Sequence, residues 1–218
     1  MSTQDRSEKD ITLINQVPPE NRLIEPLPEE KALAMFRQSQ ALLEGHFRLT
    51  SGRHSNQYMQ CAQVLQYPAY ASRLGQELAR RFQKEDVQVV IGPAMGGVVL
   101  AQEVARALGG SVRSLFAERE NGRMALRRGF WLQPGEKVLI VEDVITTGGS
   151  VQEVLELVGQ LGGKPVGVGV LVDRSGGKVQ FPVRKEAVLT LDIIAYTEET
   201  CPYCAQGLPI VKPGSRPV

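Results

Sequence analysis

Short aliphatic runs recur along the chain from residue 87 onward: Val87 to Ile91, Val112 to Ala117, Val138 to Asp143, Val166 to Asp173 and Ala187 to Tyr196. Most are apolar at consecutive positions rather than alternating, the pattern of a strand covered on both faces. Between them, Val98 to Leu108 and Ser150 to Leu161 carry apolar residues at helical spacing. A segment from Pro68 does the same, with Tyr70, Leu74, Leu78 and Phe82 each four positions apart. Strands alternating with helices predict an α/β fold, a central and mainly parallel sheet flanked by helices and joined by right-handed crossovers.

The first part of the chain reads differently. Residues 1 to 27 show neither period and hold Pro18, Pro19 and Pro26, so they are expected to form a flexible or loosely draped arm ahead of a single domain over 28–218. Pro28, Glu29 and Glu30, then Leu33, Phe36, Leu42 and Leu43, with Gly45 as a stop, predict a helix of about 16 residues. Phe47 to Gln60 alternates well enough for two strands around a turn at Ser51-Gly52.

Composition narrows the class. A chain of 218 residues with 42% hydrophobic and 22% charged residues suits one soluble α/β domain. A net charge of +1 offers no overall attraction to nucleic acid. No apolar core resembling a secretion signal lies in residues 1 to 22, and the longest apolar run, Pro165 to Val172, is too short to span a bilayer, so a cytoplasmic location is expected. Three cysteines make a poor disulfide framework. Cys201-Pro-Tyr-Cys204 is half a zinc site by spacing, but no second pair exists, and Cys61, His46 and His54 are far away in sequence. A redox-sensitive pair or plain turn residues are expected there ahead of a metal site.

The most informative stretch is Val138 to Ser150, VLIVEDVITTGGS. A buried strand delivers Glu142 and Asp143 to its carboxyl end, where open α/β sheets bind ligands. Val144 and Ile145 follow, and Thr146-Thr147-Gly148-Gly149-Ser150 then opens a helix. Free backbone N–H groups, hydroxyls and the positive helix end converge there into a phosphate cradle. Either half alone could be solvated strand-end acids or an ordinary turn. In register on one strand-to-helix turn, without the lysine of a Walker loop, they point to a ligand that carries a phosphate and nearby hydroxyls, such as a sugar phosphate.

Other segments carry chemistry or bland structure. Gly92-Pro-Ala94-Met95-Gly96-Gly97 is a second glycine-rich strand-to-helix turn, either a packing turn or a pyrophosphate loop on the same sheet edge. Glu118 to Gly129 holds Arg119, Arg123, Arg127 and Arg128, a connection too charged for a short hairpin. It is either a solvated loop or a mobile lid whose planar cations meet departing pyrophosphate. Arg174 ends the Val166 to Asp173 strand, either paired with Asp173 or aimed at a carboxylate in a base pocket.

Val138 to Ser150 resembles the phosphoribosyl pyrophosphate (PRPP) motif of type I phosphoribosyltransferases. Gly45 to Gln60, Asp173-Arg174 and the tail from Cys201 to Arg216 resemble bacterial orotate phosphoribosyltransferases, so the similarity covers roughly 28 to 216. The resemblance implies a type I phosphoribosyltransferase fold with a small base-binding hood. It implies that Glu142, Asp143 and Arg119 act in catalysis, with Glu142 to Ser150 and Arg119, Arg123 and Arg127 binding PRPP. It implies that Ala94 to Gly97 hold pyrophosphate and that Ser51, Tyr58, Thr146 and Arg174 line the orotate pocket. It further implies Mg²⁺ held mainly by PRPP and water, a homodimer with shared active sites, and a step in pyrimidine nucleotide (UMP) biosynthesis. Many members carry lysines and a histidine in the mobile loop and a lysine before Ser-Gly; here the loop has only arginines and Thr50 stands before Ser51. Rival readings are the same fold with another base, a PRPP-sensing regulator, or a non-catalytic paralogue.

Overall fold

The computed structural model describes residues 24–49 and 51–213. Among the described residues six strands form one sheet in the order β5-β4-β3-β6-β7-β8. Its strands are β3 (Val89–Pro93), β4 (Arg113–Glu120), β5 (Arg123–Leu126), β6 (Lys137–Ile145), β7 (Lys164–Asp173) and β8 (Lys185–Thr190). Every pairing is parallel except that of β4 with β5.

Helix α3 (Pro68–Phe82) and α4 (Gly96–Leu108) pack on one face through Leu74, Leu78, Phe82, Leu100 and Val104, against Val90, Leu139 and Leu171. On the other face α5 (Gly149–Gln160) buries Val151, Val154 and Val158 against Val89, Ile91, Ile140 and Val168. The consecutive apolar residues of β6 are therefore buried on both sides, as their lack of alternation predicts. The chain winds outward from β3 in one direction and from β6 in the other, and α4 and α5 lie on opposite faces. The crevice between the carboxyl ends of β3 and β6 is thus a topological switch point, the ligand site of open α/β sheets.

A second, two-stranded sheet of β1 (Leu42–Arg48) and β2 (His54–Met59) forms the hood. It follows α1 (Glu29–Gln38), and β2 leads through a short α2 (Ala62–Leu65) back to α3. A last single turn, α6 (Pro202–Ala205), lies near the carboxyl end.

Four differences from the sequence reading have local causes. The first helix is shorter than expected, because Gln40 takes φ 58° and breaks it, sending Leu42 and Leu43 into β1. The arginine-rich connection contains a tight hairpin after all: Glu120 pairs with Arg123 around Asn121-Gly122, both at positive φ (50° and 82°). Asn-Gly is the favoured pair for that turn, and it outweighs the surrounding charge. β8 stops at Thr190, and the following residues make only isolated bridges, such as Ser175 with Asp192. Finally, Ile24 packs on the core and Leu27 is buried, donating its N–H to Glu77 Oε2 at 2.8 Å. The rest of the expected arm, 1–23, lies outside the described residues.

Candidate active site

β3 and β6 are hydrogen-bonded neighbours, so the turn after Pro93 and the turn after Ile145 emerge side by side. Their contact is intimate. A Cβ on Gly96 would lie 2.2 Å from Asp143 Oδ2, so only glycine at 96 lets the acid rest against the other loop. In the same turn, a Cβ on Gly92 would meet the Gly97 carbonyl oxygen at 2.1 Å. The two motifs that the sequence separates by some forty positions are thus one structural unit.

Glu142 is buried and Asp143 half-buried. The Asp143 N–H donates to Glu142 Oε1 at 3.2 Å. Burial, then the Asp143 charge beside it, pushes the Glu142 carboxyl well above the ordinary range. Burial also raises Asp143, but less decisively, because hydrogen bonds from Glu142 and the Val144 amide favour its charged form. Both carboxyls are therefore held above their ordinary range, Glu142 the more strongly.

Beyond β6, Gly148 caps α5 in the left-handed region, φ 77°. A side chain there would be strained and would also meet Val179 at 2.7 Å, so this glycine sets the angle at which α5 leaves the strand. Thr146, Thr147 and Gly149 are exposed and Ser150 half-buried, leaving hydroxyls and first-turn amides open to a phosphate. Ala94 and Met95 are exposed beside them, and the peptide between those two is cis.

Arg174 stands at the same edge, its N–H bound to the Ile145 carbonyl at 2.9 Å. The bland alternative, a pair with Asp173, is not what forms. Buried Asp173 instead accepts from Lys185 Nζ at 2.5 Å and Ser175 Oγ at 2.6 Å. Burial pushes that carboxyl up, but Lys185 and Ser175 outweigh it and hold it below its usual value. Arg174 is left half-buried, and its Nε, out of solvent, has no hydrogen-bond partner among the described residues. Burial lowers its pKa, opposed by the electrostatic influence of Cys61 and Tyr58. An arginine remains charged regardless, so this is a desolvated cation awaiting an anion.

The hood supplies the facing wall. Tyr58, half-buried, lies near the end of β2 with its ring 6.0 Å from that of Phe47 and its hydroxyl 3.4 Å from Gln60 Oε1. Ser51 is exposed at the hairpin tip; Thr50 lies outside the described residues. Cys61, just after β2, donates its thiol to the Asp143 carbonyl at 3.5 Å and so joins hood to site. Nothing in the sequence marks a lone cysteine for that role, nor Lys185 for freeing Arg174.

The arginines are less converged. Arg119 makes a forked pair with Glu153 of α5, 2.7 and 2.8 Å, one turn beyond the phosphate loop. Arg127 pairs with Glu120 at 3.3 Å and Arg128 with Glu118 at 2.9 Å, while Arg123 is exposed on β5. All four lie on the β4-β5 hairpin or just after it.

Comparison with known proteins agrees with this geometry. The family model described as "Phosphoribosyl transferase domain" matches residues 61–197, from Cys61 through the sheet. The orotate phosphoribosyltransferase of Desulforamulus reducens is 64% identical over 189 residues, 87% of this chain and 98% of that one. That of Pelotomaculum thermopropionicum is 60% identical over 192 residues, 88% of this chain and all of that protein. Among solved structures, orotate phosphoribosyltransferase from Aeropyrum pernix superposes with TM-score 0.58 at 28% identity, covering 73% of this chain and 93% of its own. The Mycobacterium tuberculosis enzyme in complex with inorganic phosphate gives 0.60 at 25%, covering 75% and 95%. With its switch-point crevice, paired acids and glycine-rich phosphate turn, the chain belongs to the phosphoribosyl transferase family and has the type I phosphoribosyltransferase fold.

Proposed function

We propose that this protein transfers the 5-phosphoribosyl group of PRPP to orotate, giving orotidine 5′-phosphate and pyrophosphate, a step toward UMP. One observation carries the choice of base: Arg174 is a half-buried cation whose neighbouring acid is already taken by Lys185. Orotate is a uracil ring bearing a carboxylate, and a charge-assisted contact to a partly desolvated guanidinium is worth about 1.5–3 kcal/mol. A base without that group leaves the arginine unpaired. The high identity to orotate phosphoribosyltransferases supports the same reading.

In this reading the first turn of α5, with Thr146, Thr147 and Ser150, holds the 5′-phosphate. Glu142 and Asp143 take the ribose hydroxyls, and Ala94 to Gly97 take the pyrophosphate. An orotate ring nitrogen forms its bond to ribose C1 as the C1–O bond to pyrophosphate breaks, the electron pair leaving with pyrophosphate. Positive charge gathers on the sugar in between, and the negative charge of the Glu142 and Asp143 pair stabilises it. Since orotate arrives anionic, the reaction needs positioning more than a general base. The acids offer only oxygen donors, the type that Mg²⁺ takes, and a bound Mg²⁺ held mainly by PRPP and water supplies charge neutralisation of the pyrophosphate.

Arg119, with Arg123 and Arg127, closes over the leaving group by exchanging Glu153 for phosphate oxygens. Exposed pairs of this kind are weak, so the exchange costs little. Tyr58, Ser51 and Thr146 border the base. A cytoplasmic homodimer completes the proposal. Among the described residues no helix is long and apolar enough to cross a membrane, and the exposed Met95 and Val99 offer apolar surface beside the site for a second copy.

The test is Arg174→Ala. Its KM for orotate is expected to rise about 10-fold to 100-fold, with the KM for PRPP changed less than about 3-fold. Equal effects on both substrates would refute the assignment of orotate to this arginine.

A further inference from the structure

The Cys201-x-x-Cys204 pair does have partners, supplied by the hood. His46 on β1, His54 on β2, Cys201 and Cys204 bring four ligand atoms within 4.8 Å of one another. His46 Nε2 lies 3.3 Å from His54 Nδ1, 3.5 Å from Cys201 Sγ and 3.6 Å from Cys204 Sγ. His54 Nδ1 lies 3.0 Å from Cys204 Sγ. A tetrahedral ion with Zn–N of about 2.0–2.1 Å and Zn–S of about 2.3 Å sets N···N edges near 3.3 Å and N···S edges near 3.6 Å. Three of these separations match such a polyhedron, and the fourth is contracted.

Hydrogen bonding alone accounts poorly for the cluster. His46 Nδ1 lies 2.9 Å from the Leu208 carbonyl and must donate to it, which leaves Nε2 a single lone pair. Three neighbours converge on that one lone pair. A cation at their centre would satisfy all four groups, and the Leu208 contact is the outer hydrogen bond that orients a metal-bound histidine. His46, His54 and Cys201 are buried, while Cys204 is half-buried. His46 and Tyr203 also line a cleft of about 620 Å³, which gives an ion a way in. Mixed imidazole and thiolate ligands in a closed set of four suit zinc rather than a hard cation.

We infer that His46 Nε2, His54 Nδ1, Cys201 Sγ and Cys204 Sγ form a structural zinc site that staples the hood to the carboxyl-terminal segment. The backbone runs the same way: Arg48 N–H to Val211, Val211 N–H to His46, and His54 and Tyr196 exchanging both bonds at 2.9 and 2.8 Å. A two-stranded sheet is marginal by itself, so a metal here would fix the wall that carries Ser51 and Tyr58.

The test uses the full chain, expressed without a histidine tag in zinc-supplemented medium and analysed for metal by mass spectrometry. One zinc per chain is expected, falling to background in Cys201→Ser/Cys204→Ser and retained in Cys61→Ser. Stripping zinc with a strong chelator should lower Tm by roughly 10 °C or more, with recovery on adding zinc back. Cobalt exchanged into the native chain should show thiolate charge-transfer and tetrahedral d–d absorption, which needs no variant to fold. A native chain that binds no zinc after incubation with it, a Cys201–Cys204 disulfide in freshly isolated protein, or full zinc in the double variant would overturn the site. Such a failure would leave the orotate reading intact, because that rests on Arg174 and the PRPP loops.

Discussion

At the scale of single residues, the proposed site leaves charges underpaired: Arg174 Nε has no hydrogen-bond partner among the described residues, and two acids lie side by side on β6. Glu142 illustrates the cost. Its folded-state pKa is pushed up to about 9 by burial and Asp143, from an ordinary 4.5. A carboxyl that keeps its proton longer when folded contributes most stability below its unfolded pKa, and that contribution is lost as pH rises toward the folded one. Glu142→Gln, which mimics the protonated form, should therefore raise Tm at pH 8 by a few degrees, with the difference shrinking toward zero near pH 4. Thermal melts across that range check it; a variant less stable at pH 8 would show that the acid is well solvated. Asp143→Asn should reduce both PRPP affinity and turnover, and no change in either would remove it from the site. Gly96→Ala drives a methyl into the Asp143 carboxylate. A displacement of that size at a reacting centre costs about 100-fold in kcat/KM, while Tm is expected to change much less.

Elements show what was legible in the chain and what was not. The β6-turn-α5 unit was readable because its signals are local: consecutive aliphatics, two acids, then hydroxyls and glycines within thirteen positions. The α1 to β1 boundary was not, because Leu42 and Leu43 fit a helical period and only Gln40's backbone conformation stops the helix. The β4-β5 hairpin was hidden beneath its charges, although Asn121-Gly122 was the available signal. The His46, His54, Cys201 and Cys204 cluster was illegible because its halves lie some 150 positions apart, and only the hood's pairing with the tail brings them together. Two predictions belong here. Arg119→Ala removes one exposed ion pair, so Tm should barely move while kcat falls at least about 10-fold. Glu77, buried on α3, accepts from Leu27 N–H, Arg80 and Arg81; burial raises its pKa, but these donors win and bring it to about 2. Its stabilisation is present above pH 4.5 and lost as pH falls toward 2. Glu77→Ala should cost about 3 kcal/mol at pH 7, read by urea unfolding, and less in acid. A loss independent of pH would assign Glu77 a packing role only.

Over the whole molecule, one sheet edge gathers a hydroxyl- and glycine-rich turn, an acid pair, a second glycine loop and the half-buried Arg174. The winding of the sheet explains the first three, since β3 and β6 must meet at the switch point whatever the loops contain. In the proposed reaction specificity is added from outside that frame: Lys185 on β8 occupies Asp173 and leaves Arg174 to orotate. The central claim is that this combination selects a carboxylate-bearing pyrimidine. Pyrophosphate release from PRPP with Mg²⁺ should therefore be measured for the purified full chain with orotate and, separately, with uracil. The account predicts pyrophosphate formed in step with orotate consumed, and kcat/KM for uracil lower by about 100-fold or more. Turnover of uracil on a par with orotate, or no turnover of orotate, would contradict it.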